Sequence, residues 1–247
     1  MCGRYALSAD AQDIALQFDA HLESNSGKPD AFLPADWNIS PTKNIYFVNA
    51  SDQDGKARQL EIASWGLVPS WSKDASRASN TINARVESVA EKPSFRSAFK
   101  ARRCLVPADG YYEWATELGN FKLKQPFYIS NEDNSLLSMA GLYEDWANPQ
   151  TGEVLTTVSI ITRESVGEIA KVHHRMPVLL PKDRWATWLS NDALNKDQVT
   201  EYLELLDLPE PAAGLAIRPV STAVNNARNH GPELVQQIEL GQPDTLF

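Results

Sequence analysis

Apolar residues recur at two intervals along this chain, and the change of interval marks its elements. Ser8 reads as a helix N-cap, after which Ile14, Ala15, Phe18 and Leu22 share one helical face. The polar stretch 23–36 reads as a loop. The spacing then shortens: Ile45-Tyr46-Phe47-Val48 and residues 60–65 predict strands, and Pro93-Ser94 opens a short helix with Phe95, Ala98 and Phe99 on one side. Further strands are expected at 104–106, 111–114, 126–129, 136–142, 154–161 and 178–180. Turn signals such as Ala108-Asp109-Gly110 and Asn148-Pro149-Gln150-Thr151-Gly152 separate them. Helical spacing returns at 182–189 and 197–206, and a last strand is expected at 215–220. Many short strands without regular helical crossovers predict an α+β fold. It is read as a single domain over 1–247, with a mainly antiparallel, barrel-like twisted sheet core flanked by helices.

Composition narrows the class. With 247 residues, 43% hydrophobic and 22% charged, the chain can bury a sizeable core. No apolar run approaches the roughly 20 residues of a membrane span, so no membrane partner is expected. The N-terminus lacks a basic cluster and an apolar signal core, which predicts a cytoplasmic protein, nucleoid-associated in a bacterium. Cys2 and Cys104 are the only cysteines, so neither a disulfide framework nor a structural zinc site is expected. No cofactor is called for.

The net charge of −9 argues against a general nucleic-acid binder. The charge is uneven, however. Residues 64–104 hold eight Lys/Arg against three Asp/Glu, a local +5, whereas 183–247 hold four against ten, a local −6. A basic face on an acidic body could hold a short anionic strand, or be ordinary solvated surface.

The candidate chemistry starts at Met1-Cys2-Gly3-Arg4-Tyr5. Once Met1 is removed, Cys2 carries an α-amine (reference pKa about 7.7–8.0) and a thiol on adjacent carbons. The amine condenses with an aldehyde to an imine, and the thiol closes a five-membered thiazolidine. In Trp65-Gly66-Leu67-Val68-Pro69-Ser70-Trp71, Trp65 reads as core, and Trp71 on a loop tip could stack on an exposed base. Asn83 and Arg85, two apart, share a face if the segment is extended. Their commoner role is that of a surface loop. Glu113, between Tyr112 and Trp114, would have its pKa raised by partial burial and suit acid–base work, or be an exposed strand glutamate. His173 and His174, adjacent on a strand, point to opposite sides and are poor joint metal ligands.

Taken together these segments resemble the SOS-response-associated peptidase family, whose members process abasic sites in DNA. The resemblance rests on Met1-Cys2-Gly3-Arg4-Tyr5, Asn38-Ile39-Ser40-Pro41, the Trp65–Trp71 segment, Asn83-Ala84-Arg85, the block from Arg103 to Trp114, and His173-His174-Arg175-Met176-Pro177. They occur in the family's order over about 1–189, and the tail beyond carries little of it. What the resemblance implies is covalent capture of the open-chain aldehyde of an abasic site in single-stranded DNA; a monomer would suit a protein joined to DNA one site at a time. Cys2 would be the nucleophile, Asn83 the holder of its amine, Glu113 the proton shuttle, and His173 the group at O4′. Arg4, Asn38, Trp71, Arg85, Trp114 and Thr162 would contact the DNA. Removal of Met1, self-release and lyase behaviour are further implications.

Two other readings stay open. A glutamine-type N-terminal-nucleophile amidohydrolase also begins Met-Cys-Gly, but its Asn-Gly-Asp motif does not occur here. A non-catalytic reader of modified bases would need the basic stretch and Trp71, but not Cys2.

Overall fold

The structure is a computed structural model that describes residues 2–22, 32–50, 57–116, 122 and 124–240. Met1 and the part of the expected loop at 23–31 lie outside the described residues. In chain order the first elements are β1 (Tyr5–Leu7), α1 (Ala11–Gln17), β2 (Ala20–Leu22), β3 (Asp36–Ile39), β4 (Asn44–Ala50), β5 (Arg58–Trp65), β6 (Asn83–Arg85), α2 (Arg96–Ala101) and β7 (Arg103–Ala108). Then come β8 (Gly110–Trp114), β9 (Pro126–Asn131), β10 (Leu137–Ala147), β11 (Val154–Glu164), α3 (Gly167–Ala170), β12 (Arg175–Pro177), α4 (Lys182–Leu189), α5 (Lys196–Leu206) and β13 (Leu215–Pro219).

Two sheets organise these strands. The larger runs β12-β11-β10-β7-β4-β5-β2, and β5 also pairs with β11, so that β4, β5, β11, β10 and β7 close into a ring. The closing contact is parallel, Thr157 opposite Ser64 and Val158 opposite Trp65. It joins β5 to β11, with β6 added to β11 in parallel beside it, while β12 and β2 remain the end strands of the sheet. The second sheet, β13-β9-β8-β1-β3, is antiparallel throughout. The α+β architecture with a mainly antiparallel, barrel-like core is therefore as expected.

The chain passes from ring to second sheet at Asp109, between β7 and β8. Its carboxylate accepts from the Ser8 backbone N–H (2.7 Å) and hydroxyl (2.6 Å), which pins β1 to this corner. Ser8 is thus engaged elsewhere, and the N-cap of α1 is Asp10, whose side chain accepts from the Gln12 and Asp13 N–H groups. Leu22, expected on the helix face, lies in β2.

One continuous core spans the barrel, the inner face of the second sheet and α4–α5, from Cys2 to Leu206. Tyr5 packs edge-on against Trp65 at 5.3 Å, joining the two sheets. A smaller cluster, Ala6, Tyr112, Tyr128, Val220, Val224 and Leu234, lies on the opposite face of the second sheet. There the segment 221–236, two 3-10 turns (Thr222–Asn225 and Pro232–Val235), runs across β1, β3 and β8 as a strap. Of the eight basic residues in 64–104, Arg103 is buried, donating to the carbonyls of Trp188 (2.9 Å), Phe99 (3.0 Å), Asp192 (3.2 Å) and Ser190. Arg102 pairs with Glu144 at 2.7 Å. The exposed cations of that stretch are therefore Lys73, Arg77, Arg85, Lys92, Arg96 and Lys100.

Candidate active site

Cys2 sits at the mouth of β1, fully buried within the main core. Its carbonyl accepts from the Asn83 side-chain amide at 2.7 Å. Asn83 opens β6, whose pairing with β11 sets it opposite Ile160. The Asn83 Oδ1 is buried and, among the described residues, without a hydrogen-bond partner. Burial pushes the Cys2 thiol well above its ordinary value, and the Glu113 carboxylate adds to the effect. The thiol is accordingly held protonated rather than as a ready thiolate.

Glu113 comes from β8. Strand alternation puts it on the face of Tyr111 and away from Tyr112 and Trp114, but that face is the core, and the residue is 2% exposed. The exposed-glutamate reading is corrected: β8 is covered on one face by the main core and on the other by the strap. Burial pushes the Glu113 carboxyl up to about 8. Its Oε2 lies 3.5 Å from Nδ1 of His173. That nitrogen also lies 3.1 Å from the Arg175 backbone nitrogen and 3.2 Å from the Arg175 carbonyl oxygen, so it accepts from the one in one tautomer and donates to the other in the second. Burial lowers His173 to about 4. At neutral pH the pair is therefore a carboxylic acid beside a neutral imidazole, with a proton to give and a base to steer it.

Arg175, which lies in the His173 motif and has no role in the sequence-based site, is a further member of this cluster. Besides fixing the His173 ring, it pairs with Glu87 through both nitrogens (2.6 and 3.0 Å) and donates to the Thr162 carbonyl at 2.6 Å. The signal was its place two residues after His173, within reach of the ring. Tyr5 and Tyr111, directly opposite in the β1–β8 pairing, were also unassigned. Both hydroxyls are buried and, among the described residues, unpartnered. Their signal was alternation, which sets Tyr111 on the face of Glu113.

The residues expected on DNA fall into two groups. Arg85 is exposed beside the His173 segment, in register with Thr162 on β11. Thr162 itself is 1% exposed and faces Arg175. Trp71 stands out on its loop at 65% exposure, and Trp65 is core. Arg4, Asn38 and Trp114 are instead gathered under the strap. Arg4 donates to Asn38 Oδ1 (2.7 Å) and to the Val224 carbonyl (3.0 Å), and Trp114 Nε1 donates to Asn225 Oδ1 (2.6 Å). Asn38 Nδ2 faces the carbonyls of Val224, Asn226 and Asn229 at 3.3, 3.1 and 2.8 Å.

Fold and site together define a protein with a buried cysteine at its second position, set among an amide, a carboxylic acid and an imidazole, where a closed barrel meets a second sheet. The chain belongs to the SOS response associated peptidase (SRAP) family, whose model matches residues 1–227. That match runs past residue 189 and takes in the first part of the strap. It is 36% identical to the abasic site processing protein YoqW of Bacillus subtilis (strain 168), over 96% of this chain and 99% of that protein. It is 35% identical to the abasic site processing protein HMCES of Gallus gallus over 78% of this chain, and there it spans 61% of the longer relative. A crystal structure of a protein from Bacteroides thetaiotaomicron superimposes with a TM-score of 0.79 at 27% identity, covering 96% of this chain and all of that one. Among the described residues no helix is long and apolar enough to cross a membrane.

Proposed function

We propose that this chain, as a single domain, captures abasic sites in single-stranded DNA through a mature Cys2 terminus and so shields the lesion. The reading rests above all on the convergence of Cys2, Asn83, Glu113 and His173 from four separate parts of the chain. The abasic-site names of its relatives point the same way.

The chemistry balances as a condensation. The Cys2 amine attacks C1′ of the ring-opened sugar, and the resulting carbinolamine loses its hydroxyl as water, taking one proton, to give an imine. The thiol then adds across the C=N bond, its sulfur to carbon and its proton to nitrogen. Glu113, protonated at neutral pH, is the acid for the departing hydroxyl and recovers a proton from the amine. Asn83 ties down the Cys2 carbonyl, with its Oδ1 left to orient the amine. His173 serves as a neutral proton relay at the sugar oxygen. An imine that fails to close is the branch point for lyase chemistry, and the same groups serve removal of Met1. Arg85 and Trp71 offer a phosphate contact and a stacking surface on the exterior.

Incubation with a single strand carrying one abasic site should give a heat-stable adduct that Cys2→Ala abolishes. A full-strength stable adduct in that variant would overturn the assignment of Cys2.

A further inference from the structure

Nothing in the trapping chemistry uses the strap, yet it engages three of the residues that the family resemblance puts on the DNA. Its inward side chains, Val224 and Leu234, are buried against Ala6, Tyr112 and Tyr128 on the outer face of the second sheet. Its backbone is then fixed at polar points. The Asn38 amide, itself fully buried, faces three strap carbonyls, and Arg4 takes one of the same three. At the rim, Trp114 donates to Asn225 at 2.6 Å, and the Arg4 guanidinium lies 5.9 Å from the centre of the Trp114 ring. Asn225, Asn226 and Arg228 face solvent.

We propose that the strap 221–236 is a positioning element for single-stranded DNA, with Asn225 as its latch. It orients Arg4 and Trp114 so that one cation and one indole stand ready for the nucleotides beside the lesion. The inference rests on the reading of Cys2 as an abasic-site trap, but concerns grip on the strand rather than bond formation. Strand alternation separates the two functions. Tyr5, Tyr111 and Glu113 lie on one face of β1 and β8, and Arg4, Tyr112 and Trp114 on the other. Arg4 is half-buried, with two of its hydrogen bonds already spent on Asn38 and Val224. It therefore cannot swing freely to a phosphate, and its direction is set by what holds it. A guanidinium pre-oriented in this way loses less rotamer freedom on binding than a loose one.

Asn225→Ala removes the acceptor for Trp114 from an exposed position, where the fold does not depend on it. Two readouts divide grip from chemistry. The first is fluorescence-anisotropy affinity for a lesion-free single strand, which involves no covalent step. The second is the rate at which 2-deoxyribose 5-phosphate, an aldehyde without flanking nucleotides, is captured. Asn225→Ala should weaken strand binding about fivefold, the scale of one lost hydrogen bond. It should also flatten the log–log salt slope by up to about 0.7, the share of one phosphate contact on a single strand. Capture of the sugar phosphate should stay within about twofold of the parent, and Asn225→Gln, which keeps an amide oxygen, should recover part of the affinity. Parental strand affinity in Asn225→Ala, or an equal loss in both readouts, would overturn the inference. A parent that binds the strand but captures neither the sugar phosphate nor an abasic strand would refute the trapping reading and leave the strap's role standing.

Discussion

Glu113 concentrates the chemistry of this molecule in one proton. An ordinary glutamate would be ionised at neutral pH and useless as an acid; burial keeps this one protonated up to about 8. The mature Cys2 amine needs the opposite condition, since only its free base attacks, and its reference pKa is about 7.7–8.0. Capture should therefore pass through a maximum near pH 8, read from initial rates of adduct formation. Glu113→Gln should lower the rate by roughly 10²–10⁴-fold and abolish the alkaline limb. The same proton couples to stability. The folded protein keeps it up to about 8, whereas the unfolded chain releases it near 4.5. Between those values the folded state binds more protons, so raising the pH favours unfolding. Glu113→Gln should therefore gain in melting temperature over the parent as the buffer moves from about pH 5 to about pH 8. A constant difference would mean that Glu113 is already ionised when folded. The residue type and its place on a strand were legible in the sequence. Its burial was not, because that comes from the main core, where β8 meets β1 and the His173 segment sixty residues downstream.

At the scale of elements, the corner between β7 and β8 decides where Glu113 points. The sequence marks it with Ala108-Asp109-Gly110 as a turn between two strands, and the strands are there. What local pattern does not reveal is that they belong to different sheets. Gly110 makes the corner possible: a Cβ there would stand 2.5 Å from both the Ile129 carbonyl oxygen and the Tyr128 ring. Gly110→Ala should cost about 1–3 kcal/mol in denaturant unfolding, because β9 has to move or the corner has to open. Parental stability would mean that β8 and β9 can part without penalty. The first helix tells a related story. Ser8 has the right residue type for an N-cap, but its hydroxyl serves Asp109, a hundred residues away, and the cap falls to Asp10. The Asp36–Ile39 strand is not legible in the sequence, because its four residues, Asp-Trp-Asn-Ile, give too short a run for alternation to stand out.

For the whole molecule, short strands without helical crossovers were enough to indicate a mainly antiparallel α+β fold. Closure of the ring depends on Ser64 and Trp65 meeting Thr157 and Val158, a parallel contact across some ninety residues that no periodicity encodes. The site was legible as motifs in order, and their convergence only in three dimensions. The local excess of positive charge survives folding as six exposed cations, although Arg103 and Arg102 are spent on structure. Arg85 is the exposed cation in register with Thr162, beside the His173 segment. Arg85→Ala should weaken strand capture and lower its salt slope by about 0.7. An unchanged slope, measured by titrating salt against affinity, would remove Arg85 from the phosphate path.

The most direct test of the central claim is the intact mass of the natively expressed protein before and after exposure to a single strand bearing one abasic site. The account predicts a chain lacking Met1, which shifts to the sum of protein and oligonucleotide less one water. A chain that keeps Met1, or one that lacks it and yet stays at its own mass beside the lesion, would contradict it.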